Sequence, residues 1–110
     1  MARQNVFSYR VLSSESVSAT TTSAQSSAAP FGCNVARVQI HGTSGSPLSY
    51  VKISRSPTAT TDGTSSYIHE NEQFFYTVSP STTVGGTDGD KIAVIVSAGT
   101  ATLFIDWLVG

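Results

Sequence analysis

His41, His69, Glu70, Glu72, Asp88, Asp90 and Cys33 are the residues whose types could do chemistry. Their spacing argues against a reaction centre. A metal site gathers three or four ligands in space, and neither histidine stands in an HxH or HExxH pattern. Each reads as an exposed strand-face residue. Glu70 and Glu72 lie in YIHENEQFF. Two carboxylates can act as acid and base on a glycoside, but this pair falls where a turn joins two strands and charge is ordinary. Asp88 and Asp90 flank Gly89 in TDGD. A calcium loop of the EF-hand type needs a closing Glu at its twelfth position, and none follows, so a solvated turn is expected. Cys33 is the single cysteine. It can form no intrachain disulfide, and a nucleophilic thiol needs an activating partner that the sequence does not offer. It reads as a small apolar residue. The many serines include no G-x-S-x-G elbow, and GTSGSP lacks the lysine of a phosphate loop. The chain is therefore expected to be no enzyme, with no catalytic residue, metal site or cofactor.

The elements that would position these residues are strands. Apolar residues alternate with polar ones in short runs, and Gly, Pro, Ser, Thr and Asp clusters separate the runs. Candidate strands are Asn5–Leu12, Asn34–His41, Leu48–Ser54, Ser66–His69, Glu72–Val78, Asp90–Val96 and Thr100–Val109. In NVARVQIH, Ala36, Val38 and Ile40 face one way and Arg37, Gln39 and His41 the other. Val51 and Ile53 should point inward. Phe74 and Tyr76 should oppose Phe75, with one set in the core. The last two strands are joined by the short SAG connection, which predicts a hairpin. The final strand is apolar on both faces: Leu103, Ile105 and Trp107 on one, Phe104 and Leu108 on the other. Such a strand is covered on both faces, either by another subunit or by a loop or arm of its own chain. Asp106, set between Ile105 and Trp107, should find an arginine, a lysine or backbone donors, because an unpaired buried carboxylate is costly.

Ser13–Pro30 is almost entirely Ser, Thr and Ala. It reads as a flexible arm or an irregular edge strand. The organisation expected is one domain overall, with residues 1–32 as an N-terminal strand and arm and residues 33–110 as the core. The fold class expected is all-β: an antiparallel β-sandwich, jelly-roll-like, of about seven or eight strands with a Ser/Thr-rich N-terminal arm.

Composition narrows the function further. Of 110 residues, 39% are hydrophobic, enough for one core, while 12% are charged, about half the usual share. The net charge is −1 and the six basic residues are scattered, which argues against nucleic-acid binding as the main task. No apolar run approaches the roughly 18 residues that span a bilayer, so no membrane partner is expected. MARQNVFSYR lacks the apolar core of a signal peptide, so synthesis in a cytoplasm is expected. A near-neutral, hydroxyl-rich surface has little charge repulsion to keep copies apart.

Val35–Ile40, Val51–Ile53 with Thr58-Ala59-Thr60, Glu72–Val78, Gly89–Val96 and Gly99–Ile105 follow one another in an order that resembles the small β-sandwich proteins that decorate or cement tailed-bacteriophage capsids. The likeness covers about 70 residues of a domain-sized chain. Residues 1–32 lie outside it, and Ser54-Arg55-Ser56-Pro57 stands where that family often has a glycine. The resemblance implies a virion structural protein on the capsid surface, made in the host cytoplasm. It would bind the major capsid protein, hold neighbouring subunits together and form a homotrimer. Phe104, Asp106, Trp107 and Leu108 would then serve self-association. Val17, Ala19, Thr21 and Phe31, on the arm, would touch the capsid or a neighbour by adding a strand to its sheet. The alternatives are a head–tail or tail-associated virion protein, and a carbohydrate-binding module using exposed aromatics among Tyr67, Phe74, Phe75, Tyr76 and Trp107.

Overall fold

Strands need partners, and the chain supplies them within itself. The computed structural model describes residues 10–44, 48–61 and 65–110, the side chains of 43 and 44 excepted. The start of the expected first strand, before Arg10, lies outside the described residues. Eight strands are described: β1 (Arg10–Ala19), β2 (Ala24–Gln25), β3 (Val35–Ser44), β4 (Ser49–Ser54), β5 (Ser66–Ile68), β6 (Phe74–Thr77), β7 (Lys91–Val96) and β8 (Thr100–Val109). They form two four-stranded sheets, β1-β8-β3-β6 and β2-β7-β4-β5, here sheet A and sheet B. Every pairing is antiparallel. The protein is all-β, with two sheets arranged as a β-sandwich.

The period of two sorts the side chains. Ala36, Val38 and Ile40 of β3 and Leu103, Ile105 and Trp107 of β8 are buried. They pack in one cluster with Val51 of β4, Ile68 of β5 and Ile92, Val94 and Val96 of β7. Phe74, Tyr76 and Ile53 lean on this core, half-buried. Burying one such aliphatic side chain contributes about 1.5–3 kcal/mol, so these inner faces specify the sandwich.

One expected pairing is corrected. β7 and β8 do not pair as a hairpin; they lie in different sheets. Both edges of β8 are taken, by β1 and β3, and both edges of β7, by β2 and β4. Gly99, at φ +70°, lets the short connection turn the chain from one sheet to the other. The Ser/Thr/Ala-rich stretch, for its part, does not stand away from the domain. Residues 10–19 form the edge of sheet A along β8. The chain then crosses to sheet B and runs along β7. Val96 N–H donates to Thr20 O at 3.0 Å, Ser26 N–H to Ile92 O at 2.8 Å and Ala29 N–H to Asp90 O at 2.7 Å. Of the two readings of this stretch, the edge strand is the one the structure contains. Pairing within the chain avoids the entropy of recruiting a partner.

Glu15 ties this edge to the interior. Its Oε1 accepts from the Trp107 indole at 3.0 Å and its Oε2 from Ser27 N–H at 3.2 Å. A second tie lies in the β6–β7 loop. Ser81 Oγ donates to Ala29 O at 2.7 Å and accepts from Gly89 N–H at 3.0 Å. Over sheet B, the β4–β5 loop folds back. Gln25 Nε2 donates to Pro57 O at 2.7 Å, Ala59 N–H donates to Ser23 Oγ at 2.9 Å, and Pro57 is fully buried.

Candidate interaction surface

The same alternation that fills the core sets the outer face of sheet A. Ser14, Ser16 and Ser18 of β1 lie opposite Asp106, Phe104 and Thr102 of β8. Arg37, Gln39 and His41 of β3 lie opposite the same three residues on the other side. Phe75 of β6 lies opposite Arg37. This face carries two large apolar side chains in the open: Phe104 and Phe75 are each 48% exposed. The His41 ring stands edge-on to Phe104, with centroids 5.7 Å apart at 82°.

An ion pair sits between them. Arg37 Nη2 and Nε donate to Asp106 Oδ2 at 2.6 and 3.0 Å, and Ser14 Oγ donates to Oδ1 at 2.5 Å. Partial burial alone would raise the carboxyl's pKa. The Ser14 and Arg37 hydrogen bonds outweigh that and hold it below the usual range. The partner expected for Asp106 is therefore present, and it comes from 69 residues away. The charges cancel locally, so the face offers aromatic area and hydroxyls without net charge.

The residues proposed from sequence divide. Phe104 and Asp106 lie together on this face. Trp107 and Leu108 are 1% and 0% exposed and belong to the domain's own interior, which corrects their assignment to a contact surface. Trp107 points into the core between the sheets. Leu108 lies on the opposite side of β8, in register with Val11 of β1 and Val35 of β3. It is covered within the chain, so the second face of β8 needs no second subunit there. Val17 and Ala19 are likewise buried in the core, because β1 turns those positions inward. Thr21 is exposed and Phe31 is 52% exposed. Phe31 precedes Gly32, whose φ is +89° and against which Leu12 lies. Phe31, Leu12 and Val11 thus leave apolar surface near the start of β1.

The other candidate groups do structural work. Cys33 is buried, donates to Val35 O at 3.3 Å, and has its thiol pKa pushed up by burial. Asp88 accepts from Thr82 Oγ1 at 2.7 Å and Thr82 N–H at 2.9 Å, and these bonds hold its carboxyl below the usual range. Asp90 accepts from Ser79 N–H at 2.9 Å. Glu70 accepts from Gly42 N–H at 2.8 Å. Among the described residues no three of His, Cys, Asp and Glu come together in a way that could hold a metal ion, and no helix is long and apolar enough to cross a membrane.

No family model, curated protein or solved structure matches this chain. The geometry must carry the functional reading by itself.

Sequence reasoning missed Glu15 and Ser14. Both sit in a stretch whose composition hides its strand, and their partners, Trp107 and Asp106, are 92 residues away.

Proposed function

We propose that the chain is a capsid decoration, or cement, protein of a tailed bacteriophage. It binds the outer surface of the head and stabilises contacts between major capsid protein subunits. We propose also that its sandwich is a jelly roll. The observation that carries both is the pairing scheme: β1 with β8, β2 with β7, β3 with β6 and β4 with β5, nested in two four-stranded sheets. An eight-stranded double-sheet roll of this kind is a common architecture of viral capsid and lectin domains.

The outer face of sheet A supports an assembly role. Phe104 offers an apolar anchor beside a neutralised ion pair, as suits an interface that must exclude water without burying net charge. In this reading three copies meet through that face, and the Phe31 corner rests on the capsid. Many copies on one particle make weak individual contacts sufficient.

The test uses heads assembled without the protein, from the virus that encodes it. The purified chain should sediment with heads, saturate at a fixed ratio and run as a trimer in light scattering. Phe104→Asp should lower trimer content while leaving the thermal melt unchanged, since Phe104 lies outside the core. Binding to tails in place of heads would move the protein to a tail-associated position. Failure to bind either would overturn the virion reading.

A further inference from the structure

Two of the six basic residues, far apart in sequence, meet on the other face of the sandwich. On the outer side of sheet B, Lys52 of β4 lies opposite Ala93, and Lys91 of β7 lies opposite Ser54. The two lysines are thus diagonal neighbours on adjacent strands, about 7–8 Å apart at the backbone. Neither enters a salt bridge among the described residues. Asp90 accepts from Ser79 N–H and Asp88 from Thr82, with Arg55 acting on it from a distance, so neither is drawn into an ion pair with Lys91.

Aromatic rings continue this face. Tyr50 lies opposite Tyr67 in the register, with ring centroids 5.7 Å apart. His69 meets Tyr67 at 4.8 Å, nearly perpendicular. Tyr67 is 44% exposed and His69 is exposed. Neither tyrosine hydroxyl is engaged by another described residue. The β4–β5 loop covers the β2 and β7 side of the sheet through Pro57. The β4 and β5 side keeps Lys52 and Tyr67 exposed and Tyr50 half-buried, and Lys91 of β7, half-buried, borders it.

We propose that this face binds an acidic polysaccharide chain. The rings present apolar faces and edges to the C–H surfaces of pyranose rings, as aromatic side chains do at half-wet interfaces. The free hydroxyls meet sugar hydroxyls. Lys52 and Lys91 meet carboxylates, which gives the face its charge complementarity. A neutral glycan would leave both ammonium groups without a counter-charge. A single-stranded nucleic acid would use similar elements, but two lysines make too short a basic track for a phosphate backbone, and the ring that His69 stacks on, 6.5 Å away, belongs to Phe74 of sheet A and lies outside this face. This inference is independent of the capsid reading. The face lies on the opposite side of the sandwich from Phe104, so a copy held through sheet A would still present sheet B to solvent.

The test titrates the full chain calorimetrically with oligogalacturonate, a neutral galactan of similar length, and oligo-dT. Oligogalacturonate should bind saturably and more weakly at high salt, with the galactan about tenfold weaker or worse. Tyr67→Ala and Lys52→Gln should each weaken oligogalacturonate binding by about tenfold; Lys52→Gln should leave the melting temperature unchanged, and Tyr67→Ala should lower it by only a few degrees through its lost ring contacts, with the fold retained. Equal affinity for the galactan, tighter binding of oligo-dT, no binding of oligogalacturonate, or indifference to both substitutions would each overturn the proposal. None of these readouts involves heads, so its failure is distinguishable from failure of the capsid role.

Discussion

Replacing Glu15 by Ala probes how the edge strand is locked to the core. The Trp107 indole N–H, on a side chain 1% exposed, donates to Glu15 at 3.0 Å. Removing the acceptor leaves a buried donor unsatisfied, which costs about 1–3 kcal/mol. The second bond, from Ser27 N–H, lies at an exposed residue; that N–H regains water and adds little. A loss of about 2 kcal/mol corresponds to a fall in Tm of about 9 °C for a chain of this length. Glu15→Gln keeps one carbonyl acceptor for the indole and should lose about half as much. The assay is thermal unfolding followed by Trp107 fluorescence and circular dichroism. A cycle with Trp107→Phe isolates the pair: on that background Glu15→Ala should lose most of its cost, about 1–2 kcal/mol less than in the native chain. A Glu15→Ala fall below about 2 °C, or equal costs on both backgrounds, would refute the claim that this carboxylate satisfies the indole.

Other substitutions test other parts of the fold. A Cβ at Gly89 would stand 2.5 Å from Ala29 O and 2.6 Å from Ser81 N. Both are backbone atoms, so Gly89→Ala should cost about 2–3 kcal/mol in urea unfolding; a loss under about 0.5 kcal/mol would mean that the loop shifts freely. Asp106 has a folded-state pKa below its ordinary value of 3.8. Its contribution is therefore complete above that value and fades as pH falls through the lowered one. Asp106→Asn should flatten the stability profile only below about pH 5, with a neutral-pH loss of no more than about 1 kcal/mol because the pair is partly exposed. A change confined to higher pH would contradict the assignment. Cys33, buried and with its thiolate disfavoured, should resist a thiol reagent in the native state and react fully in urea; rapid native labelling would show that the β2–β3 connection opens.

Much of the face pattern was legible because it is local. The alternation of Ala36, Val38 and Ile40 against Arg37, Gln39 and His41 needs only the geometry of one strand. The same holds for Leu103, Ile105 and Trp107, and for Phe75 set against Phe74 and Tyr76. The need of Asp106 for a partner was equally legible, since a carboxylate in an apolar strand must be compensated wherever it lies. The hairpin between β7 and β8 was misread for a definite reason. A short Gly-containing link fits a two-strand turn and a corner between sheets equally well. Composition hid β1 and β2 because serine and alanine carry little strand preference. Their place is set by the vacant edges of β8 and β7.

By itself, then, the sequence determined the class of element, the inward face of most strands and the absence of any recognisable catalytic or metal-binding motif. These follow from side-chain period and residue chemistry over a few positions. Tertiary structure decided which strands pair, and through that pairing every composite feature. It brought Ser14 and Arg37 to Asp106 and Glu15 to Trp107. It sank Trp107 and Leu108 inside while leaving Phe104 out. It also collected Lys52, Lys91, Tyr50 and Tyr67 on one face. Such meetings join residues tens of positions apart, and they arise from the total burial and hydrogen bonding of two whole sheets, a sum to which no short window of sequence has access.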